Sequence, residues 1–304
     1  MPAAAENIAF SVLYDSPMIS VRDYVCTHAA VEPLPDEQST TNTITLMRHG
    51  AFAKHFGRRT VTADVNQATF FRKDSVYRVS HPAGCGDRGT SFGVPASILN
   101  DIIRELDPGV DERPDDPFPF DSGPCDTALF LRHREYVQRL ERSGEEPLEP
   151  LWADITGLQL MADVLEAAFV HTGKRLKKRS STVTDHAERV EAAKTYIARR
   201  IGENISLGEV AAAVNASPFN FARIFQQHTG VPLHRYLTRL RLRTSLERIA
   251  EPDADLSAVA LELGFSSHSH FTDVFRREFG STPSEIRRTA SITALREMSK
   301  NLIA

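Results

Sequence analysis

Two segments in the second half of the sequence each combine an apolar side with a face of hydrogen-bonding and basic side chains. The apolar sides, at helical spacing, are Phe221, Ile224 and Phe225 in one segment and Phe271, Val274 and Phe275 in the other. The opposite faces carry Phe219, Asn220, Arg223, Gln226 and Gln227 in the first, and His268, Ser269, His270, Thr272, Asp273, Arg276 and Arg277 in the second. Amide, imidazole and guanidinium groups can hydrogen-bond to base edges in the major groove of DNA and to phosphates.

The two segments belong to an internal repeat. The pattern Phe-x-x-(Ile/Val)-Phe-x-x-x-x-Gly occurs at 221–230 and again at 271–280, a displacement of 50 residues. Upstream, Val210-Ala211 recurs as Val259-Ala260, displaced by 49 residues. Two copies are too few for a solenoid, so the pattern indicates a duplicated supersecondary unit.

Each copy is predicted to be a short helix, a tight turn and a second helix. In the first copy, Ser206 and Glu209 form a capping box, and Ser217 caps a helix that begins at Pro218. The corresponding residues of the second copy are Asp255, the turn residue Gly264, and Ser266 or Ser267. This is helix-turn-helix geometry, in which the second helix can enter the major groove.

A basic segment, LHRYLTRLRLRTSLERIA, lies between the copies. It contains Arg235, Arg239, Arg241, Arg243 and Arg248. A helix of about 17 residues is roughly 25 Å long. It could therefore hold two reading helices about one DNA turn apart, roughly 34 Å.

The stretch from Ile205 to Arg288 resembles the DNA-binding domain of the AraC/XylS family of transcription regulators. The motifs are ISLGEVAAAVNASPFNFARIFQQHTGVPLHRYL and LSAVALELGFSSHSHFTDVFRREFGSTPSEIRR, the second with the family's G-x-(S/T)-P ending. The resemblance implies two helix-turn-helix units joined by a long helix and bound to successive major grooves. It also implies a cupin-like sensory or dimerisation domain in the front half.

The resemblance also implies positions that contact bases. They match Phe219, Ala222 and Arg223 in the first reading helix, and His268, Ser269 and Asp273 in the second. Ala222 has nothing to donate, so Asn220 or Gln226 replaces it in the predicted base-reading set. Asp273 stands where many relatives have Arg: it either accepts from cytosine N4 or faces solvent and pairs with Arg277.

The remaining polar residues around the reading helices are predicted to contact phosphates. This set is Ser217, Arg239, Arg241, Ser267, His270, Thr272, Arg276 and Arg277. Some of these arginines could instead form surface ion pairs only.

The overall charge of −4 on 304 residues hides an asymmetry. Residues 1–173 hold 26 Asp and Glu against 15 Lys and Arg, a net charge of −11, whereas residues 174–304 carry +7. Five of the basic residues are Lys174, Arg175, Lys177, Lys178 and Arg179. This run predicts a boundary at 174–184, either as a plain solvated linker or as part of a module that meets polyanions. The predicted domains are then 1–173, the linker 174–184, a DNA-binding domain at 185–290 and a tail at 291–304.

The front half is predicted to be rich in strands. Candidate strands are ISVRDYVC, NTITLMR, RRTVTADV, NQATFFR and VYRVS, whereas AGCGDRG and DPGVDERPDDPFPFDSGPCD are predicted to be a loop and an exposed connector. Helices are predicted at 127–143 and 151–172, the latter ending at Gly173. The apolar stripe of the second helix, Leu151, Ile155, Leu158, Leu165 and Phe169, either pairs with its copy in a dimer or packs on the strands.

The sequence predicts no catalytic residue, no metal ligand set and no cofactor. The histidines of the front half, His28, His49, His55 and His81, form no HxH pair, and only His81, Cys85 and Asp87 form a compact mixed cluster. Three dispersed cysteines without CxxC indicate reduced thiols, with a redox switch at Cys85 or Cys125 as an alternative. An apolar effector pocket is predicted from Phe52, Phe56, Phe70, Tyr77 and Phe92, any of which could instead be plain core.

Together these observations predict an α+β multidomain chain with a cupin-like barrel, further helices and an all-α double helix-turn-helix domain. The predicted function is a sequence-specific DNA-binding transcription regulator, more an activator than a repressor, controlled by a small-molecule effector or a partner. Double-stranded DNA, a second copy of the chain and, for an activator, RNA polymerase are the expected partners. The expected location is the bacterial cytosol, with no membrane segment. The alternative is a cupin-type metal-dependent enzyme with an appended DNA-binding domain.

Overall fold

The computed structural model describes residues 7–143, 148, 150–176, 182–216, 218–251 and 254–289. In residues 174–176, 182–184, 218–220, 223 and 289 this description covers the backbone alone. The basic run at 174–179 and the tail at 291–304 therefore lie wholly or largely outside the described side chains. The description covers most of both halves of the chain.

The front half contains two antiparallel sheets. Its strands are β1 (Ile8–Asp15), β2 (Ser20–Cys26), β3 (Glu37–Gln38), β4 (Thr43–His49), β5 (Phe52–Phe56), β6 (Arg59–Ala63), β7 (Gln67–Phe71), β8 (Val76–Ser80), β9 (Asp87–Gly93) and β10 (Ser122–Pro124). The larger sheet has the order β1-β2-β9-β4-β7-β10, and the smaller has the order β3-β8-β5-β6. The predicted β-rich front half is confirmed, but the strands of the described residues do not close into a barrel, because each sheet keeps two edge strands.

Alternation along the strands of the larger sheet separates a core face from a cavity face. Ile44 and Phe92 are almost fully buried toward the helices, and the Phe92 ring lies 6.4 Å from that of Tyr136. Their strand neighbours Thr43 and Ser91 face a cavity between the two sheets. The polar residues that alternate with apolar ones in these strands therefore line the cavity between the sheets.

Two stretches that were predicted to be irregular carry structure. β9 begins at Asp87, inside the predicted loop AGCGDRG, and Gly89 lets the Tyr24 ring lie where a Cβ would come within 2.7 Å of it. The Pro- and Asp-rich connector buries Phe118 and Phe120 beside Phe70 in the core. The loop prediction holds for residues 83–86 and is wrong from Asp87 onward, and the connector is not exposed throughout. Local composition does not show which residues of such a stretch pack against a sheet.

The helices account for the remaining elements. They are α1 (Ala96–Arg104), α2 (Thr127–Glu141), α3 (Pro150–Leu176), α4 (Thr182–Arg199), α5 (Leu207–Ala213), α6 (Pro218–Thr229), α7 (Leu233–Ile249), α8 (Leu256–Glu262), α9 (His268–Phe279) and α10 (Pro283–Thr289). Asp126 caps α2 by accepting from the Leu129 amide at 2.8 Å. The backbone of α3 continues past Gly173, so the predicted end of this helix was wrong. In the described part of the chain, no helix has the length and apolar character needed to cross a bilayer.

The predicted dimer stripe of α3 divides into two parts. Leu151 and Ile155 at its start are 71% and 59% exposed. Leu158 is half-buried and Leu165 is fully buried, and the Phe169 ring lies 5.0 Å from that of Phe120. Of the predicted stripe, Leu151 and Ile155 are thus the members exposed to a second chain.

The back half packs on the front half through α7, and Arg243 lies at the centre of this contact. Its side chain is 1% exposed. Nη1 donates to the carbonyl oxygens of Val65 and Cys125, both at 2.8 Å, and lies 3.0 Å from the side-chain oxygen of Asn66. The guanidinium carbon also lies 4.9 Å from the centre of the Phe130 ring. The positive charge of Arg243 is therefore stabilised by oxygen atoms and an aromatic ring of the front half.

Glu247, one helical turn further along α7, forms a second contact with the front half. Its carboxylate contacts Arg134, lies 3.4 Å from Nε of Arg48 and lies 3.8 Å from Nη1 of Arg88. Burial alone would raise the pKa of Glu247, but the three arginines outweigh it and hold that pKa below its usual range. The carboxylate is thus ionised and compensated inside the contact.

Candidate nucleic-acid interface

The first helix-turn-helix unit consists of α5 and α6. The capping box at its start is formed: Ser206 Oγ accepts from the Glu209 amide at 3.2 Å, and the Ser206 amide donates to the Glu209 carboxylate at 2.7 Å. Asn215 makes the turn with a positive φ of 51°. The amide of Ala216 then donates to the Ala211 carbonyl at 2.9 Å, which closes the turn. Ser217, the predicted cap of α6, lies outside the described residues.

The second unit, α8 and α9, has the same construction. Asp255 caps α8 by accepting from the Ser257 amide at 2.8 Å, and Gly264 makes the turn with φ of 76°. Ser267, one of the two predicted caps, accepts from the His270 amide at 3.1 Å. Gly280, also left-handed with φ of 75°, ends α9.

The outer face of α9 is open to solvent. Ser269, His270, Asp273, Arg276 and Arg277 are exposed, whereas His268 and Thr272 are half-buried. Within the described residues Asp273 forms no ion pair with Arg277, so its carboxylate is available to an external donor. Acceptor and donor groups thus alternate on one surface, with the N-terminal amides of α9 beside them.

The outer face of α6 is described in part. Gln226 and Gln227 are exposed on it. The side chains of Phe219, Asn220 and Arg223, which the sequence predicts to read bases, lie outside the described side chains. The predicted role of Arg223 therefore stays a prediction.

Two of the arginines predicted to contact phosphates have partners inside the protein. Arg239 Nε lies 3.1 Å from the carboxylate of Glu278 on α9. Arg241 donates to the backbone carbonyls of Ile201, Glu203 and Gly264, with distances of 2.5 to 3.0 Å. These contacts hold α7 against α9, the turn at Gly264 and the segment that follows α4. Both guanidinium groups are therefore engaged inside the protein.

A cavity of about 260 Å³ lies between the two sheets of the front half. Of the residues predicted to form an effector pocket, Phe52 and Tyr77 line this cavity. Phe70 and Phe92 instead pack on the opposite face of the larger sheet, and Phe56 is not among the lining residues. Strand alternation accounts for the difference, because neighbouring residues point to opposite faces. The sequence reasoning missed the polar lining, including Glu37, Thr45 and Ser91.

Cys26, His81 and Asp87 come together in the wall of this cavity. Nε2 of His81 lies 3.2 Å from Sγ of Cys26 and 2.9 Å from Oδ2 of Asp87, and all three residues are buried. Burial alone would lower the pKa of His81, but the contacts with Asp87 and Cys26 raise it to about 9. Cys85, which the sequence grouped with His81 and Asp87, is exposed and outside the cluster. Cys26 takes its place through strand pairing, which sequence spacing does not show.

Comparison with known proteins finds similarity over the back half of the chain. A family model described as a helix-turn-helix domain matches residues 210–289. Regulatory protein PocR of Salmonella typhimurium is 30% identical over 105 residues, which are 34% of this chain and 35% of PocR. An HTH-type transcriptional regulator of Haemophilus influenzae is 31% identical over 170 residues, or 55% of each chain. The back half of the chain is thus similar to helix-turn-helix transcription regulators.

The helix-turn-helix match coincides with the interface described above. It begins in α5, includes both units and the connecting α7, and ends with α10. The chain spans about a third of PocR and about half of the Haemophilus influenzae protein. The HTH-type transcriptional activator RhaS of Salmonella schwarzengrund is 23% identical over 270 residues, covering 85% of this chain and 91% of RhaS. The cavity of the front half lies outside the residues that this helix-turn-helix model matches.

Proposed function

We propose that the chain is a sequence-specific, DNA-binding transcription regulator that acts as an activator. The observation that carries the proposal is the pair of capped helix-turn-helix units, the second of which presents an exposed polar and basic face on α9. α7 joins the units over 17 residues, roughly 25 Å of helix, which suits two successive major grooves. The printed names of PocR and RhaS, a regulatory protein and a transcriptional activator, support this function.

In this proposal both reading helices contact bases, and α9 also contacts phosphates. Ser269 and Asp273 of α9 face base edges, with Asp273 accepting from a cytosine amino group. Arg276, Arg277 and the capped N-terminus at Ser267 contact phosphates. On α6, Asn220, Arg223 and Gln226 are the proposed base readers.

The proposal predicts that DNA affinity depends strongly on salt, and that this dependence can be reduced without changing the preferred sequence. Wild-type protein should select one family of sequences from random duplexes, and its affinity should fall steeply as salt is raised. The double variant Arg276→Ala/Arg277→Ala should bind the selected site more weakly at low salt, with the slope of log affinity against log salt reduced by about two. The preferred sequence should be unchanged, because phosphate contacts carry no sequence information.

Arg58→Ala is the matched control, since Arg58 is an exposed arginine of the front half. It should leave both the affinity and the salt slope at wild-type values. Equal affinity of the wild-type protein for selected and random duplexes would contradict sequence-specific binding.

A second prediction concerns α6. Arg223→Ala should cost about 1–3 kcal/mol of binding free energy at one base position and relax the preference there. Titrations against the selected site and against its single-base variants measure this. A uniform loss across all sequences would instead assign Arg223 to a phosphate.

We further propose that the front half controls the DNA-binding domain, with the predicted linker 174–184 between them. The cavity between the sheets supports a small-molecule effector as the controlling ligand. The exposed Leu151 and Ile155 support a homodimer formed through the start of α3. RNA polymerase is the proposed partner of the DNA-bound activator.

A further inference from the structure

We propose that Cys26, His81 and Asp87 bind a divalent transition-metal ion of the Zn²⁺ class in the wall of the front-half cavity. The three residues offer a sulfur, a nitrogen and an oxygen that all lie within 4.8 Å of one another. They are 4%, 1% and 3% exposed, so the donors converge in a site from which bulk water is excluded. The site lies in the front half of the chain, outside the two helix-turn-helix units.

The backbone holds the three donors in place. Cys26 ends β2 and Asp87 begins β9, and the two residues are direct partners in the antiparallel register. His81 follows β8, and its amide donates to the Ala30 carbonyl at 2.7 Å. Gly86 allows this approach, because a Cβ there would lie 2.0 Å from the Cys26 carbonyl oxygen. The cluster is thus built by the sheet, and the side chains need little ordering to bind an ion.

The spacing of the donors fits a tetrahedral ion. With a Zn–S distance of about 2.3 Å and Zn–N and Zn–O distances of about 2.0–2.2 Å, tetrahedral donors lie about 3.3–3.6 Å apart. In the structure, His81 Nε2 lies 3.2 Å from the sulfur and 2.9 Å from the carboxylate oxygen. These two distances are within about half an ångström of the tetrahedral values, and the sulfur and the carboxylate oxygen lie within 4.8 Å of each other.

The hydrogen bonding of the cluster is incomplete in a way that an ion would satisfy. One imidazole nitrogen, Nε2, faces both the sulfur and the carboxylate. Within the described part of the chain, Oδ2 of Asp87 accepts no well-aligned hydrogen bond. Unsatisfied buried polar atoms are costly in a folded protein. A nucleophilic relay would instead have Asp87 on Nδ1 and Cys26 on Nε2, which the shared nitrogen excludes for this arrangement.

The donor set also indicates the kind of ion. Thiolate and imidazole select Zn²⁺, Co²⁺ and similar ions over Mg²⁺ and Ca²⁺, which prefer oxygen ligands. Because all three residues line the cavity, the fourth coordination position opens toward it. A water molecule or a donor atom of a small molecule in the cavity completes the tetrahedron.

Cobalt titration of the full-length protein tests the site directly. Reduced protein freed of metal by a chelator should bind one Co²⁺ per chain, with a thiolate-to-cobalt charge-transfer band and the intense visible bands of a four-coordinate ion. One equivalent of Zn²⁺ should remove these bands and raise the melting temperature. Failure of the wild-type protein to give a saturable one-to-one band would overturn the proposal.

Variants assign the ligands. Cys26→Ser should abolish the charge-transfer band, and His81→Gln and Asp87→Asn should each weaken Co²⁺ binding at least about tenfold. Cys85→Ser, which changes an exposed thiol outside the cluster, should keep the band and the stoichiometry. Circular dichroism checks that each variant is folded. If Cys26→Ser does not fold, the double variant Cys85→Ser/Cys125→Ser still tests the assignment. Cys26 is its one remaining cysteine, so any thiolate-to-cobalt band of this variant comes from Cys26. Loss of the band in that double variant, or its survival in folded Cys26→Ser, refutes the assignment.

Discussion

Replacement of Arg243 by alanine is expected to lower the free energy of unfolding by about 3 kcal/mol, because a buried acceptor left without its donor costs about 1–3 kcal/mol. The guanidinium group donates to the Val65 and Cys125 carbonyls and to Asn66, and its removal leaves these buried acceptors without their donor. It also removes the cation beside the Phe130 ring. The result is a cavity between α7 and the front half.

Urea unfolding of the wild-type protein and of two variants measures this effect. Arg235→Ala is the matched control, because Arg235 is an exposed arginine on the same helix, and it should change stability by less than about 0.5 kcal/mol. If Arg243→Ala were as stable as Arg235→Ala, the contact between α7 and the front half would not exist in solution.

Glu247→Gln is expected to destabilise the protein by about 3 kcal/mol, the low end of the range for a broken buried ion pair. The substitution keeps the size of the side chain and removes the charge that faces Arg48 and Arg134. The cost stays at the low end because Asp23 and Glu141 still contact Arg48, at 3.0 and 2.7 Å.

The pH dependence of this variant has a defined sign. Because the folded protein lowers the pKa of Glu247, the carboxylate stabilises the fold above its unfolded pKa of about 4.3. This stabilisation is lost as the pH falls through the lower folded pKa. The difference between wild type and Glu247→Gln should therefore be full at neutral pH and shrink below about pH 4. Glu251→Gln, which changes an exposed carboxylate just past α7, is the control and should change stability by less than about 0.5 kcal/mol at neutral pH.

The helix-turn-helix units could be predicted from sequence because their determinants are local. The capping box at Ser206 and Glu209, the cap at Ser267 and the turn glycine Gly264 all act within a few residues of one another. The repeat at a displacement of 50 residues then identified both units as one kind of structure. Short-range chemistry of this kind is readable in a single chain.

The roles of the α7 arginines could not be predicted in the same way. Arg239, Arg241 and Arg243 lie on one basic helix with little apolar contrast between its faces, so spacing does not show which of them is buried. Arg243 is inside because carbonyl oxygens more than 100 residues away meet it there. Such partners are set by tertiary packing rather than by neighbours along the helix.

The cavity cluster was missed for a related reason. His81, Cys85 and Asp87 are close in sequence, yet the third donor is Cys26, some 55 residues before His81. The pairing of Cys26 with Asp87 follows from the register of β2 and β9. Sequence alone predicts that both strand regions are extended or looped, but it does not state which residue lies opposite which.

The burial of α7 against the front half limits how the protein can be truncated or used in chimeras. A fragment that begins at α4 keeps both units, yet it places the buried Tyr236, Leu242 and Arg243 on a freshly exposed surface. Its solubility and melting temperature should suffer even where its DNA-reading residues are intact. A chimera that carries a relative's front half needs acceptors at the positions of the Val65 carbonyl and the Asn66 side chain. Without them, the Arg243 guanidinium would be buried without hydrogen-bond acceptors.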